Sequence, residues 1–195
     1  MSRAELRLMR KSNVEGTGRW TLVAIRQRYH QYCRLHHLEP RPFPSEEDWA
    51  SGRGLIVSLM DAMIEGIKTG DLACAEIGVE LIEEDGGFAF GRILKANTAR
   101  ALGRCALTEA HKERIRRRVV EMLARGFMPH EFRDYARLLR NIGLGEHRET
   151  LEHSVDQANP WVRWYVNYLT RTNPGPKPGA GRESGTVGAE RRRRV

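Results

Sequence analysis

The chain is short of cysteine and of long apolar runs, and each shortage removes a class of protein. Three cysteines occur in 195 residues, Cys33, Cys74 and Cys105. They are odd in number, far apart and set among alanines and other small residues, which argues against a disulfide framework and for reduced, buried thiols. No apolar run approaches the roughly 18 residues needed to cross a bilayer. The start, Met1-Ser-Arg-Ala-Glu-Leu-Arg7, lacks the apolar centre of a secretory signal, so a cytoplasmic location without a membrane partner is expected. Serines are few and none stands in a nucleophile elbow. Gly16-x-Gly18 and Gly52-x-Gly54 lack the strand that a phosphate-cradling turn needs, and no glycine-rich loop ends in Lys-Ser/Thr. Enzyme is therefore the least supported class, and no cofactor is expected. No alternation of valine, isoleucine and threonine signals strands.

What is present is enough for one core. With 40% apolar and 30% charged residues, a chain of this length is expected to bury one sizeable interior in a single helical domain over residues 1–172, frayed over residues 1–18. Residues 173–195 are rich in proline, glycine and arginine and have too little to bury, so they are expected to be disordered. That tail carries half of the net charge of +8, through Lys177, Arg182 and Arg191 to Arg194 against Glu183 and Glu190. The remaining excess is spread over the helical part, where arginine and glutamate pair on solvated faces.

Helical periodicity runs through most of the chain. Arg19 to Leu38 forms a long pattern with Trp20, Val23, Ala24, Gln27, Tyr32 and Leu35 as candidate inner positions, ended by Pro40, Pro42 and Pro44. Ser45 with Glu46, Glu47 and Asp48 makes a good helix start, and Gly52 and Gly54 a break. Leu55, Ile56, Leu59, Met60, Met63, Ile64 and Ile67 repeat at three and four residues and form the clearest buried face. Asp71 caps the next helix, with Leu72, Ala75, Ile77, Val79 and Ile82 inward and Gly86-Gly87 at its end. Phe88 to Cys105 follows with Phe90, Ile93, Leu94, Thr98, Ala101 and Leu102 inward. Thr108 caps a helix facing inward through Ile115, Val119, Met122 and Leu123. Pro129 opens another, with Phe132, Tyr135, Ala136, Leu138 and Leu139 as its apolar face. A weaker helix covers His147 to Gln157, and Asn159-Pro160 opens a last one, Trp161 to Arg171.

The fold class is thus all-α. Short connections force neighbouring helices to lie antiparallel, so the hairpins stack, with a compact irregular bundle as the other arrangement the pattern allows. In its helix lengths, in the small residues Ala73, Ala75, Ala99 and Ala101, and in junctions such as Gly126-Phe-Met-Pro129, the segment from Leu55 to Leu144 resembles the α-solenoid families, HEAT-like repeats above all. That resemblance implies a scaffold with a binding groove and brings no catalytic residues with it.

Four constellations carry the functional expectations. His30, Cys33 and His37 lie on one helix face by spacing and are candidate metal ligands, against the plainer reading of exposed histidines and a buried thiol. His130-Glu131-x-x-Asp134 lacks the second histidine of a metalloprotease helix, so Glu131 and Asp134 read as partners of the helix dipole. Arg92, Lys95, Arg100 and Arg104, followed by Lys112, Arg114, Arg116, Arg117 and Arg118, would form one positive strip for phosphates if their helices pack antiparallel, unless Glu109, Glu113 and Glu121 neutralise it. Trp161, Trp164, Tyr165 and Tyr168 form an aromatic stripe that docks the last helix or, if exposed, contacts a partner. The leading expectation is a non-enzymatic scaffold that binds another protein. The alternative is a nucleic-acid-binding protein that uses the basic strip and tail.

Overall fold

The computed structural model describes residues 18–43, 55–84, 91–153, 156 and 158–171. Among them are a 3-10 turn, Gly18–Trp20, and eight α-helices: α1 Leu22–Leu35, α2 Leu55–Lys68, α3 Leu72–Glu83, α4 Gly91–Leu102, α5 Glu109–Ala124, α6 Phe132–Ile142, α7 His147–His153 and α8 Pro160–Thr170. The described residues contain no strand. The expected frayed start up to residue 17, the Ser45 helix start, the glycine pairs at 52 and 54 and at 86 and 87, Phe88, Phe90 and the tail from residue 173 lie outside the described residues.

Side-chain caps mark several helix starts. Thr21, Asp71, Thr108 and Asn159 each accept a hydrogen bond from an amide of the first turn, of Ala24, Cys74, His111 and Trp161 respectively. Pro160 occupies the first turn of α8, where its missing N–H leaves no gap. Gly126 and Gly143, just past α5 and α6, hold φ of 66° and 78°, conformations that a side chain resists.

The helices form two layers. α1, α3, α5 and α7 pack successively side by side, and so do α2, α4, α6 and α8. Hairpin contacts from α1 to α2, α3 to α4, α5 to α6 and α7 to α8 join the layers, and the core lies between them. The α2 stripe from Ile56 to Ile67 and the α6 set Phe132, Tyr135, Ala136, Leu138 and Leu139 are buried as their spacing requires. α3 differs. It touches α1, α2, α4 and α5, so it is enclosed nearly all round, and Cys74, Gly78, Glu80 and Leu81 are buried beside the expected inner positions.

The α1 face also departs from the expected one. Ile25, Tyr29 and Cys33, four residues apart, point into the core, while Val23 and Leu35 are more than half exposed and Gln27 is exposed. The Thr21 cap restarts the helix after the 3-10 turn and so resets which residues face α3. On α4, Ile93 is exposed rather than inward.

Where α2 meets α3 the backbones come close. A Cβ at Gly66 would overlap Cys74 Sγ and lie 3.0 Å from Cys74 Cβ. Arg41 Nη1, also 3.0 Å away, can swing aside, but Cys74 Cβ is fixed to the α3 backbone and its Sγ is buried, so Gly66→Ala is expected to destabilise the fold by about 1–3 kcal/mol. Urea unfolding checks this: the midpoint falls, with little change in slope.

Candidate functional site

Polar groups converge inside the odd-numbered layer. α3 carries Glu76, Glu80 and Glu83 along one side, with Glu84 just past its end, and this side faces the elements that flank it. Glu80 is buried and takes Arg28, Arg19 at 2.8 Å and the Tyr32 hydroxyl. Glu84 accepts from Arg19 and, at 2.9 Å, from Trp20 Nε1. From the α5 side, Arg114 donates to Glu83 at 3.0 Å through Nε and to Glu76 at 2.7 Å through Nη1. Burial followed by the Glu80 hydrogen bond pushes the Tyr32 phenol up.

Glu76 also meets two imidazoles. His36, the residue that ends α1, places Nε2 at 3.4 Å from Glu76 Oε1, and His111, in the first turn of α5, places Nε2 at 2.8 Å from the same oxygen. The ring centroids are 6.4 Å apart, and one ligand atom from each of the three residues lies within 4.8 Å of the others. His111 is 1% exposed. Both imidazoles meet the Glu76 oxygen as ion-pair contacts, and neither ring nitrogen of His111 nor His36 Nε2 has a hydrogen-bond partner. Burial by itself would raise the Glu76 carboxyl, but the His111 ring and the Arg114 guanidinium outweigh it and hold the pKa at about 2. Glu76 is therefore ionised throughout the neutral range.

The expected metal set stands differently. His30 is exposed, Cys33 is buried in the core, and His37 is exposed beyond the end of α1 with φ 55°, so the three do not share one continuous helix face. Burial pushes the Cys33 thiol up, which disfavours a thiolate in the metal-free chain. The neighbouring His36 is the histidine of this segment that turns toward α3. Its partners are hard to find by spacing, since they come from distant helices, but one signal existed: Glu76 and Glu80 are two carboxylates inside the otherwise apolar run Leu72 to Ile82.

The basic residues divide between the two layers. α4 packs on α2 and α6, and there Lys95 pairs with the buried Glu131 at 3.3 Å and Arg100 with Asp134 at 3.1 Å. Glu131 makes no side-chain cap bond to the α6 start, so these two acids act as ion-pair partners across helices. α5 packs on α3, which draws Arg114 and Arg117 to Glu83. Arg116 is buried, donates at 2.9 and 3.0 Å to the Gly143 and Ile142 carbonyls at the end of α6, and pairs with Glu109. Lys112 reaches Glu109 and Arg118 reaches Glu121. Arg92 and Arg104 are exposed and have no ion-pair partner among the described residues.

The aromatic stripe is mostly docked. Tyr165 is 6% exposed and stands edge-on to Phe132 at 4.8 Å. Trp164 stacks on Tyr168 at 5.4 Å, and the Arg140 guanidinium lies 4.6 Å over the Tyr168 ring. Trp161 remains 41% exposed. It borders a surface feature of the even-numbered layer, a line of adjoining depressions of about 260 to 520 Å³ in the seams between successive helices. Arg100 links the α2/α4 depression to the α4/α6 one, His130 and Asp134 link that one to the α6/α8 depression, and Arg133 carries the line on to Tyr168. Arg92 and Arg100 of the expected strip and the aromatic residues of α8 are thereby brought onto one face.

No helix among the described residues is long and apolar enough to cross a membrane. The chain matches no family model, no curated protein and no solved structure.

Proposed function

We propose that this chain is a non-enzymatic helical scaffold, built like a short HEAT-like array, that binds an acidic segment of another protein along the outer face of its even-numbered layer. The observation that carries this reading is the continuous line of depressions across α2, α4, α6 and α8. Its rim presents Arg92, Arg104 and Arg133, which have no ion-pair partner among the described residues, together with the exposed edge of Trp161. Asp61 and Glu65 line the α2/α4 end, but along α4, α6 and α8 the cations beside an aromatic anchor suit a peptide that alternates carboxylates with an apolar side chain. The layered hairpins support the repeat-like reading, because side-by-side stacking leaves such seams along one face.

Panning a random peptide library on the chain is expected to return acidic sequences with one aromatic or leucine anchor. Arg133→Glu and Trp161→Ala should each weaken the selected peptide about 10-fold or more, a loss of roughly 1.4 kcal/mol. A consensus without acidic residues, or an affinity that neither variant changes, overturns the proposal.

Nucleic acid is the second reading, favoured by the same uncompensated arginines beside an aromatic edge. Retention of single-stranded DNA that falls steeply with salt and is lost in Arg133→Glu would put it first. Arg116 is a poor residue for that test, because its guanidinium is committed to the end of α6.

A further inference from the structure

We infer that His36, Glu76 and His111 form a binding site for a divalent transition-metal ion, zinc above all. Two imidazole nitrogens and a carboxylate oxygen are the donors that zinc takes in three-ligand sites. In a tetrahedral zinc site with bonds of about 2.0–2.1 Å the ligand atoms stand about 3.3 Å apart. The Glu76 oxygen lies 3.4 Å from His36 Nε2 and 2.8 Å from His111 Nε2, so small side-chain rotations bring the three into register.

The burial of His111 is a second observation that points to a ligand. Its imidazole is 1% exposed, yet neither ring nitrogen has a hydrogen-bond partner, and His36 Nε2 is likewise unpartnered and shielded from solvent. Buried polar atoms in that condition are rare, and an ion between the two rings would satisfy one nitrogen of each. The carboxylate is already oriented. Arg114 holds its second oxygen at 2.7 Å, and the charge of Arg114 is balanced by Glu83, so the guanidinium fixes the ligand without leaving a net positive charge at the site. Three helices supply the donors: the end of α1, the middle of α3 and the first turn of α5. A bound ion would tie the odd-numbered layer together across its width, and with three protein ligands the fourth position falls to water.

The test uses the full chain, free of any histidine tag, stripped with a chelator and titrated with zinc chloride by calorimetry. One zinc per chain with micromolar or tighter affinity is expected. Cobalt(II) in its place should give the visible bands of nitrogen and oxygen ligation without a thiolate charge-transfer band. His36→Gln, at the rim of the cluster, and His111→Ala should each weaken binding at least about 100-fold while circular dichroism remains helical. His30→Ala with His37→Ala should leave affinity unchanged. Failure of the stripped wild-type chain to bind zinc stoichiometrically overturns the assignment. So does binding that survives His36→Gln, or a site that follows His30, Cys33 and His37 instead.

Discussion

Glu80→Ala is expected to lower stability by about 3–5 kcal/mol, the loss typical of a broken buried ion pair. Glu80 is 6% exposed, and its carboxylate holds Arg28, whose side chain is 12% exposed, together with the Tyr32 hydroxyl. Removing the acid leaves a mostly buried guanidinium and a half-buried phenol without their shared acceptor, and the penalty comes mainly from them. Arg19 adds little, because its side chain is 54% exposed and regains solvent readily. Arg28 also lies 4.8 Å over the Trp20 ring, so the disturbance spreads to the 3-10 turn. In a chain of this size the loss corresponds to a fall in Tm of about 6–20 °C. The double change of Glu80 to Leu and Arg28 to Met should recover most of it, because an apolar pair needs no partner. A single-variant Tm within about 2 °C of wild type would mean that water reaches these groups.

Phe132→Ala should cost a similar amount, about 3–5 kcal/mol, for a different reason. Phe132 is 1% exposed at the start of α6, and its ring meets Tyr165 edge-on at 4.8 Å with the planes 84° apart. The deletion opens a cavity in the seam where α8 docks on α6. Thermal unfolding measures the loss, and the emission of Trp161 and Trp164 should report a loosened α8 in the still-folded protein. Trp161→Ala is the useful contrast. Because Trp161 is 41% exposed, its removal should change peptide affinity far more than Tm, whereas Phe132→Ala should damage both.

How far the structure could be read in advance differs from helix to helix. α2 and α6 each present one apolar stripe to one interior, and their spacing was sufficient to name the buried residues. α3 could not be read that way. A helix with neighbours on four sides has no polar face, so periodicity picked out part of its circumference and missed Cys74, Gly78 and Leu81. On α1, which starts at the Thr21 cap after a separate 3-10 turn, the inner face falls on Ile25, Tyr29 and Cys33 and leaves Val23 outside.

The candidate sites divide along the same line. The aromatic stripe of α8 is a local pattern, but its docking is not: Tyr165 is buried against α6 while Trp161 stays exposed. The basic strip required α4 and α5 to present their cations together, but α4 aligns with α6 and α5 with α3, and the acids there claim most of those arginines and lysines. The triad of His36, Glu76 and His111 joins three helices far apart in the chain, so no spacing rule reaches it.

By itself the sequence determined the helical class, most helix starts and the stripes that had to be covered, because capping hydrogen bonds and apolar periodicity act over a few residues. Tertiary structure alone decided which helices became neighbours, which cations found acids, and that one buried and one half-buried imidazole would face one carboxylate. Those outcomes depend on contacts between residues distant in the chain, and such contacts form only when the layers close on each other.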